Sequence, residues 1–130
     1  MIDPNNHDLG YDRPPPIPSL AERLAADVPQ ARIVKAFNTT PHRVIELDRD
    51  EIARNRVSVF LCSDDAAAKA TVKTLAEELG FVGVDGGALE RGRLVDGVTD
   101  FIRHQIGAMG LGVFATISLN VLRPQQRGTK

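Results

Sequence analysis

Residues 57–80, VSVFLCSDDAAAKATVKTLAEELG, decide the fold. Val57–Cys62 is almost continuously apolar, the pattern of a strand buried on both faces of a parallel sheet. Ser63 can cap the helix that follows, and Asp64 and Asp65 put negative charge at its positive dipole end. Ala68, Val72, Leu75, Ala76 and Leu79 recur at helical spacing, and Gly80 is a natural stop. Phe81–Asp85 returns as a second strand, broken by Gly86 and Gly87. Strand, helix and strand joined by short connections make a βαβ unit, and with it a parallel sheet.

The same alternation extends in both directions. Upstream, Ser19 opens S-L-A-E, a capping box with Glu22, before a short helix striped by Leu20, Leu24 and Val28. Arg32–Phe37 reads as a compact strand ended by Asn38, Thr39, Thr40 and Pro41. The polar stretch 41–56 is expected to be helical in part, anchored by Val44, Ile45 and Ile52. Downstream, a long helix is expected over Leu89–Met109, with Leu94, Val98, Phe101, Ile102, Ile106 and Met109 on one broad face, more apolar than one sheet face needs and so open to a partner as well. Gly110-Leu111-Gly112 ends it, Val113–Leu122 has the composition of a final strand, and 123–130 is a polar tail. Residues 5–18, with their PPPIP run, read as a stiff loop. The expected core includes Val59, Leu61, Val72, Leu75, Phe81 and Ile102.

Bulk properties narrow the classes. A chain of 130 residues supports one domain. Its hydrophobic share of 42% and charged share of 25% suit a globular fold, and a net charge of −1 leaves no electrostatic footprint for nucleic acid or an acidic membrane. The apolar runs are far short of a membrane span, and the polar, proline-rich start is unlike a signal peptide. The single Cys62 rules out an internal disulfide and suits a reducing cytoplasm, which is the expected location.

Candidate chemistry is sparse. His7, His42 and His104 share no ligand spacing, so no metal site is expected, and His104 pairs on spacing with Asp100 along a helix surface. Gly107, Gly110 and Gly112 spell G-x-x-G-x-G after a helix, the wrong order and place for a dinucleotide fingerprint. No hydrolase arrangement is present, and no catalytic residue is assigned. Ligands of open α/β sheets bind beyond the carboxyl ends of strands, which points to Asn5–Asn6, Asn38–Pro41, Cys62–Asp65 and Gly86–Gly87. Asn38 either makes a turn or offers its amide to a carboxamide such as nicotinamide's.

Five segments carry a resemblance in the right order. They are Ile2-Asp3-Pro4-Asn5-Asn6, Val34-Lys35-Ala36-Phe37-Asn38-Thr39, Cys62-Ser63-Asp64-Asp65 with Lys69, Val84-Asp85-Gly86-Gly87-Ala88-Leu89 with Arg93 and Leu94, and Gly110-Leu111-Gly112. Together they resemble the second half of the dinucleotide domain of the NADP oxidoreductases that use coenzyme F-420. The reductase domains of six-transmembrane metalloreductases are similar in the same pieces. Ser63 and Ala88 replace the family's Gly and Pro, and Asp96-Gly97 stands where it commonly has Glu followed by Ser or Pro.

The resemblance implies an incomplete Rossmann-like α/β fold over residues 1–122: a mainly parallel sheet with flanking helices, a long C-terminal helix and a final strand. It implies hydride transfer between NADP(H) and a deazaflavin or flavin such as F-420. Asn6, Asn38 and Thr39 would line the nicotinamide side, and Pro41, Gly110, Leu111 and Gly112 would shape the cleft for the second ring. The glycine-rich phosphate loop of the first half has no counterpart here, so weak or absent NADP binding by this chain alone is expected. A homo-oligomer, or a chain supplying the other half, is the expected partner. The alternative is a non-catalytic module for association. Neither nucleic acid nor membrane is an expected partner.

Overall fold

The computed structural model describes residues 1–7 and 14–125. Ser19 caps α1 (Leu20–Asp27) as its spacing predicts: its hydroxyl accepts from the Glu22 amide, and the Glu22 carboxylate accepts from the Ser19 amide. β1 (Ile2–Asp3) and β2 (Val34–Lys35) pair in parallel on either side of this crossover. The polar stretch after β2 forms α2 (His42–Ile45) and α3 (Arg49–Arg54), which bury Val44 and Ile52 and leave Ile45 exposed. β3 (Ser58–Cys62), α4 (Ala66–Glu78) and β4 (Val82–Gly87) form the expected βαβ unit, with β3 and β4 parallel. Gly80 stops α4 at φ +98°, where a Cβ would lie 2.4 Å from the Arg49 carbonyl oxygen, so only glycine fits. A 3-10 turn (Leu89–Arg91) leads into α5 (Gly92–Ile106).

The sheet order is β1-β2-β3-β4. Two of its three pairings are parallel, as expected, but β2 meets β3 in antiparallel sense through one pair, Lys35 opposite Cys62. Two contacts agree with this direction. The Ser63 hydroxyl donates to the Ile33 carbonyl at 2.6 Å, and the Phe37 ring meets Phe81 edge-on at 5.9 Å. The start of β2 therefore lies beside the end of β3. The carboxyl ends of the strands are split accordingly. Asn5–Asn6 and Asn38–Pro41 share one end of the sheet, whereas Cys62–Asp65 and Gly86–Gly87 lie at the other.

The main core is built from Val34, Val59, Leu61, Val72, Ala76 and Phe81 with their neighbours, and Ile102 is also buried. Leu75 departs from expectation at 43% exposure, because α4 turns Val72 and Ala76 inward and Leu75 lies beside that stripe. The cap of α4 is Asp65, which accepts from the Ala68 amide, while the Ser63 hydroxyl is spent on Ile33.

The larger departure is α5. It ends at Ile106 and its buried residues are Gly92, Val95, Asp96, Thr99, Asp100 and Ile102. Leu94, Phe101 and Met109, part of the broad apolar face, are 68%, 55% and 59% exposed. The inward face is polar because it meets the polar loops beyond β1 and β2. Nor is Val113–Leu122 a strand. It meets the start of β3 through bonds that alternate between backbone and side chain: Ser58 N–H to Ile117 O, Leu119 N–H to Ser58 Oγ, and Ser118 Oγ to Arg56 O. Side chains thus take up groups a ladder would pair.

Arg93 ties α5 to α1 with a two-pronged pair to Glu22, at 2.6 and 2.7 Å. Arg93 hydrogen bonding holds the Glu22 carboxyl below its ordinary range, with burial opposing and the Ser19 contacts assisting. A carboxylate whose pKa is lower folded than unfolded stabilises fully above its unfolded value and loses that contribution as pH falls through the folded one. Glu22→Gln is therefore expected to lower the urea midpoint at pH 7, and the two midpoints should converge once the pH falls well below 4.5, the ordinary Glu value.

Candidate functional site

Phe37 sets the site. It holds φ +67°, a left-handed conformation that side-chain-bearing residues rarely adopt, and its ring is anchored on Phe81. The chain therefore turns sharply after β2, and Asn38, Thr39 and Thr40 face α5 and the loop beyond β1. A cleft of about 270 Å³ forms there, walled by Asn6, His7, Asn38–Pro41, Thr99, Ile102, Arg103 and Ile106.

Its polar wall is one connected network. Asn6 Nδ2 donates to the Asn38 carbonyl at 3.0 Å, and Asn38 Nδ2 lies 3.0 Å from Thr99 Oγ1, 3.3 Å from Asn6 Oδ1 and 3.4 Å from Asp96 Oδ1. Beneath it, Lys35 Nζ forms a buried ion pair with Asp96 at 3.0 Å and donates to the Asn5 carbonyl at 2.9 Å. Burial pushes the Asp96 carboxyl above its ordinary range, and Lys35 counters that effect. Gly92 makes the arrangement possible, since a Cβ there would come within 2.8 Å of Lys35 Cδ. On the flank, His7 Nε2 lies 2.9 Å from the Asp100 carboxylate, and Arg103 donates to the His7 carbonyl. Asp100 thus turns inward to His7. Three buried polar atoms of the wall lack partners among the described residues: Asn38 Oδ1, Thr40 Oγ1 and His7 Nδ1.

Of the residues singled out from the sequence, Asn6, Asn38, Thr39 and Pro41 come together in this cleft. Gly110-Leu111-Gly112 does not line it. The turn follows the end of α5, tied back by Leu111 N–H to Gln105 O and Gly112 N–H to Ile106 O, with no atom near either glycine's missing Cβ. Lys35, Asp96, Thr99, His7 and Asp100 were not predicted as site residues. The available signal was the charge carried by Lys35 in an otherwise apolar strand, and the repeated Asp and Thr on α5.

At the other end of the sheet, Asp64 accepts from the Leu89 amide and Asp65 caps α4. Burial raises the Cys62 thiol above its ordinary range, which keeps it protonated and unreactive. Among the described residues, no three His, Cys, Asp or Glu side chains are grouped to hold a metal. A second cleft, about 370 Å³, lies between α2–α3 and Phe114–Thr116, but no unpartnered buried polar atom lines it.

No protein-family model matches the chain. The F420-dependent NADP reductase of Methanocaldococcus jannaschii is 30% identical over 89 residues, which are 68% of this chain and 39% of that protein. The human metalloreductase STEAP2 is 33% identical over 78 residues, 60% of this chain and 15% of that protein. A crystal structure from Arthrobacter sp. FB24, provisionally named an F420-dependent NADP reductase, superposes with a TM-score of 0.78 at 26% identity, covering 92% of this chain and 57% of the other. The chain is similar to these reductases. It spans less than half of either curated relative's length. The sheet and helices described above are Rossmann-like on the strength of the same superposition. Among the described residues, no helix is long and apolar enough to cross a membrane.

The buried pair at the base of the cleft gives a direct test. Lys35→Ala leaves Asp96 buried without its counter-ion and is expected to cost about 3–5 kcal/mol. Adding Asp96→Leu, with Met in place of Ala at Lys35, should recover most of the loss, because two apolar side chains then fill the volume. Denaturant titration of the three proteins measures both effects.

Proposed function

We propose that the chain carries the nicotinamide-side wall of an NADP(H)-linked oxidoreductase that transfers hydride to or from a deazaflavin or flavin. The observation that carries this reading is the gathering of Asn6, Asn38, Thr39, Thr40 and Pro41 with Ile102 and Ile106 around one cleft. A carboxamide brings N–H donors and a carbonyl acceptor, chemistry that a cleft walled by asparagine and threonine suits. When bound, NADP(H) supplies the hydride at its nicotinamide ring.

The protein's part is to orient that ring and exclude water. Asn6 fixes the Asn38 backbone, Thr39 is buried beside it, and Pro41, Ile102 and Ile106 give the apolar surface on which a flat ring packs. Gly110-Leu111-Gly112, just beyond Ile106, is assigned to the border of the second ring. Hydride transfer needs stacked rings more than acid–base groups, so a cleft without a nucleophile or metal cluster suits it.

Among the described residues, the phosphates of the cofactor have no comparable site. No glycine-rich turn opens a helix here, and such a turn with the dipole behind it is what holds pyrophosphate in this fold. Asn6, Asn38, Thr39 and Thr40 contribute neutral hydrogen bonds of about 0.5–1.5 kcal/mol each, which together reach only the lower end of an association cost of roughly 4–15 kcal/mol. Calorimetry on the 130-residue chain is expected to show NADPH binding no tighter than millimolar. Joining a glycine-rich strand–turn–helix half, in cis or as a second chain, should tighten it. Micromolar binding by this chain alone would mean a phosphate site elsewhere and would overturn the half-site reading.

A second reading, an association module that forms homo-oligomers, is favoured by the outer face of α5. Leu94 and Phe101 are exposed on one side of the helix, and β1 is an edge strand of only two residues. Sedimentation at micromolar concentration is expected to show a dimer that Leu94→Lys with Phe101→Lys converts to monomer. A wild-type monomer at that concentration removes this reading.

A further inference from the structure

The turn from α3 into β3 and the segment 114–123 enclose a basic concavity. Arg54, Arg56 and Arg123 line a cleft of about 700 Å³ there, with Ser118 and Asn120. Specific bonds hold its two sides together. Arg56 takes φ +52°, a left-handed conformation uncommon for a side-chain-bearing residue, and its carbonyl accepts from the Ser118 hydroxyl at 2.7 Å. Leu119 N–H donates to Ser58 Oγ at 2.9 Å. Among the described residues, none of the three arginine side chains has an ion-pair or hydrogen-bond partner. By contrast, Arg32, Arg49, Arg91, Arg93 and Arg103 each lie within 4.0 Å of a carboxylate. Arg54 suits the dipole at the C-terminal turn of α3, but that accounts for neither Arg56 nor Arg123. Like charges gathered without a counter-ion repel, and a bound oxyanion relieves the repulsion.

The cleft between α2–α3 and Phe114–Thr116 adjoins this one, because Asn55 lines both. Val44, Ile52 and Val57 line it almost fully buried, and Phe114 adds an exposed ring. An apolar trough thus meets a cluster of unpaired guanidinium groups. We propose that the two clefts form one binding site for a small amphipathic anion, a phosphate monoester with a flat apolar body. The phosphate follows from the count of forks: three guanidinium groups match three terminal oxygens and close to two negative charges. Glu51 borders the apolar cleft, so its carboxylate turns the anionic end of the ligand toward the arginines. A net charge of −1 and a concave site favour a small molecule over a polyanionic surface. The site shares no lining residue with the Asn38 cleft, and the inference does not rest on the nicotinamide-side reading. Nor does it supply a pyrophosphate cradle, which uses backbone N–H groups at a helix N-terminus, whereas this site lies beyond the C-terminal end of α3. The arginines are exposed and their pairs are screened by salt, so binding is in the range of about a millimolar.

NMR titration of the 130-residue chain at low salt and neutral pH tests this, with naphthyl phosphate, naphthol and inorganic phosphate as probes. Naphthyl phosphate is expected to bind at least about tenfold more tightly than either of its parts, because one molecule engages both clefts. Its affinity should fall as sodium chloride is added. The amide signals it shifts should centre on Asn55, Arg56, Phe114 and Ser118. Arg54→Gln with Arg56→Asn removes two charges at exposed positions, and asparagine tolerates the left-handed backbone at 56. In that variant naphthyl phosphate should bind no better than naphthol. Arg123→Gln should weaken it in the same direction, which keeps the test open if the double variant does not fold. Phe114→Ser should lower the affinity for naphthyl phosphate and leave that for inorganic phosphate unchanged. Naphthyl phosphate binding no tighter than naphthol to the wild type overturns the proposal. So do an unchanged preference in the arginine variants and shifts centred on Asn38 and Thr99 instead.

Discussion

A lysine ammonium and an aspartate carboxylate, both almost fully buried and 3.0 Å apart, hold the site end of this molecule together. Lys35 sits in a strand of two residues, too short to be stabilised by its ladder alone. Its long side chain passes over Gly92 into the layer between the sheet and α5, where Asp96 meets it and the Asn5 carbonyl takes a second proton. One ion pair thereby joins β2, α5 and the loop after β1. Neither charge could stay buried unpaired, so the register of α5 against the sheet follows from the pair.

That constraint explains why α5 reads misleadingly in sequence. Its apolar residues form one broad face in the sequence, but Leu94, Phe101 and Met109 stay exposed because the helix presents Asp96, Thr99 and Asp100 to Lys35, Asn38 and His7. Local features were legible because their partners lie within a few residues. The Ser19–Glu22 capping box, the Gly80 stop and the βαβ unit over 57–87 all belong to this class. The resemblance brought Asn6, Asn38, Thr39 and Pro41 forward, and the fold gathers them in one cleft. The rest depends on contacts far apart in sequence. The pairing of Lys35 with Asp96 and of His7 with Asp100, and the reversal of direction between β2 and β3, leave no periodicity to read. The stretch 113–122 misleads for a related reason. β propensity shows that a segment suits an extended form, but not that a free edge awaits it, and here much of the bonding runs through serine side chains.

The reversal also changes where chemistry can gather. In a uniformly parallel sheet every strand delivers its carboxyl end to one side. Here β1 and β2 deliver Asn6 and Asn38 to one end, and β3 and β4 deliver Asp65 and Gly87 to the other, where Lys69 bonds Asp85 and the Gly87 carbonyl. The second end is satisfied within itself. The first keeps unpartnered atoms in its wall.

The single residue pair that joins the two halves of the sheet has an energetic meaning of its own. β3 and β4 share five paired positions, whereas β1 and β2 share two. Cooperative units in proteins follow such seams, and the unit with less backbone pairing opens at lower free energy. The β1–β2 side with its cleft is then the labile unit, free to breathe while the βαβ unit stays folded. A ligand wedged between Asn38 and α5 would draw much of its effect from closing that seam, coupling occupancy to the order of the whole labile half.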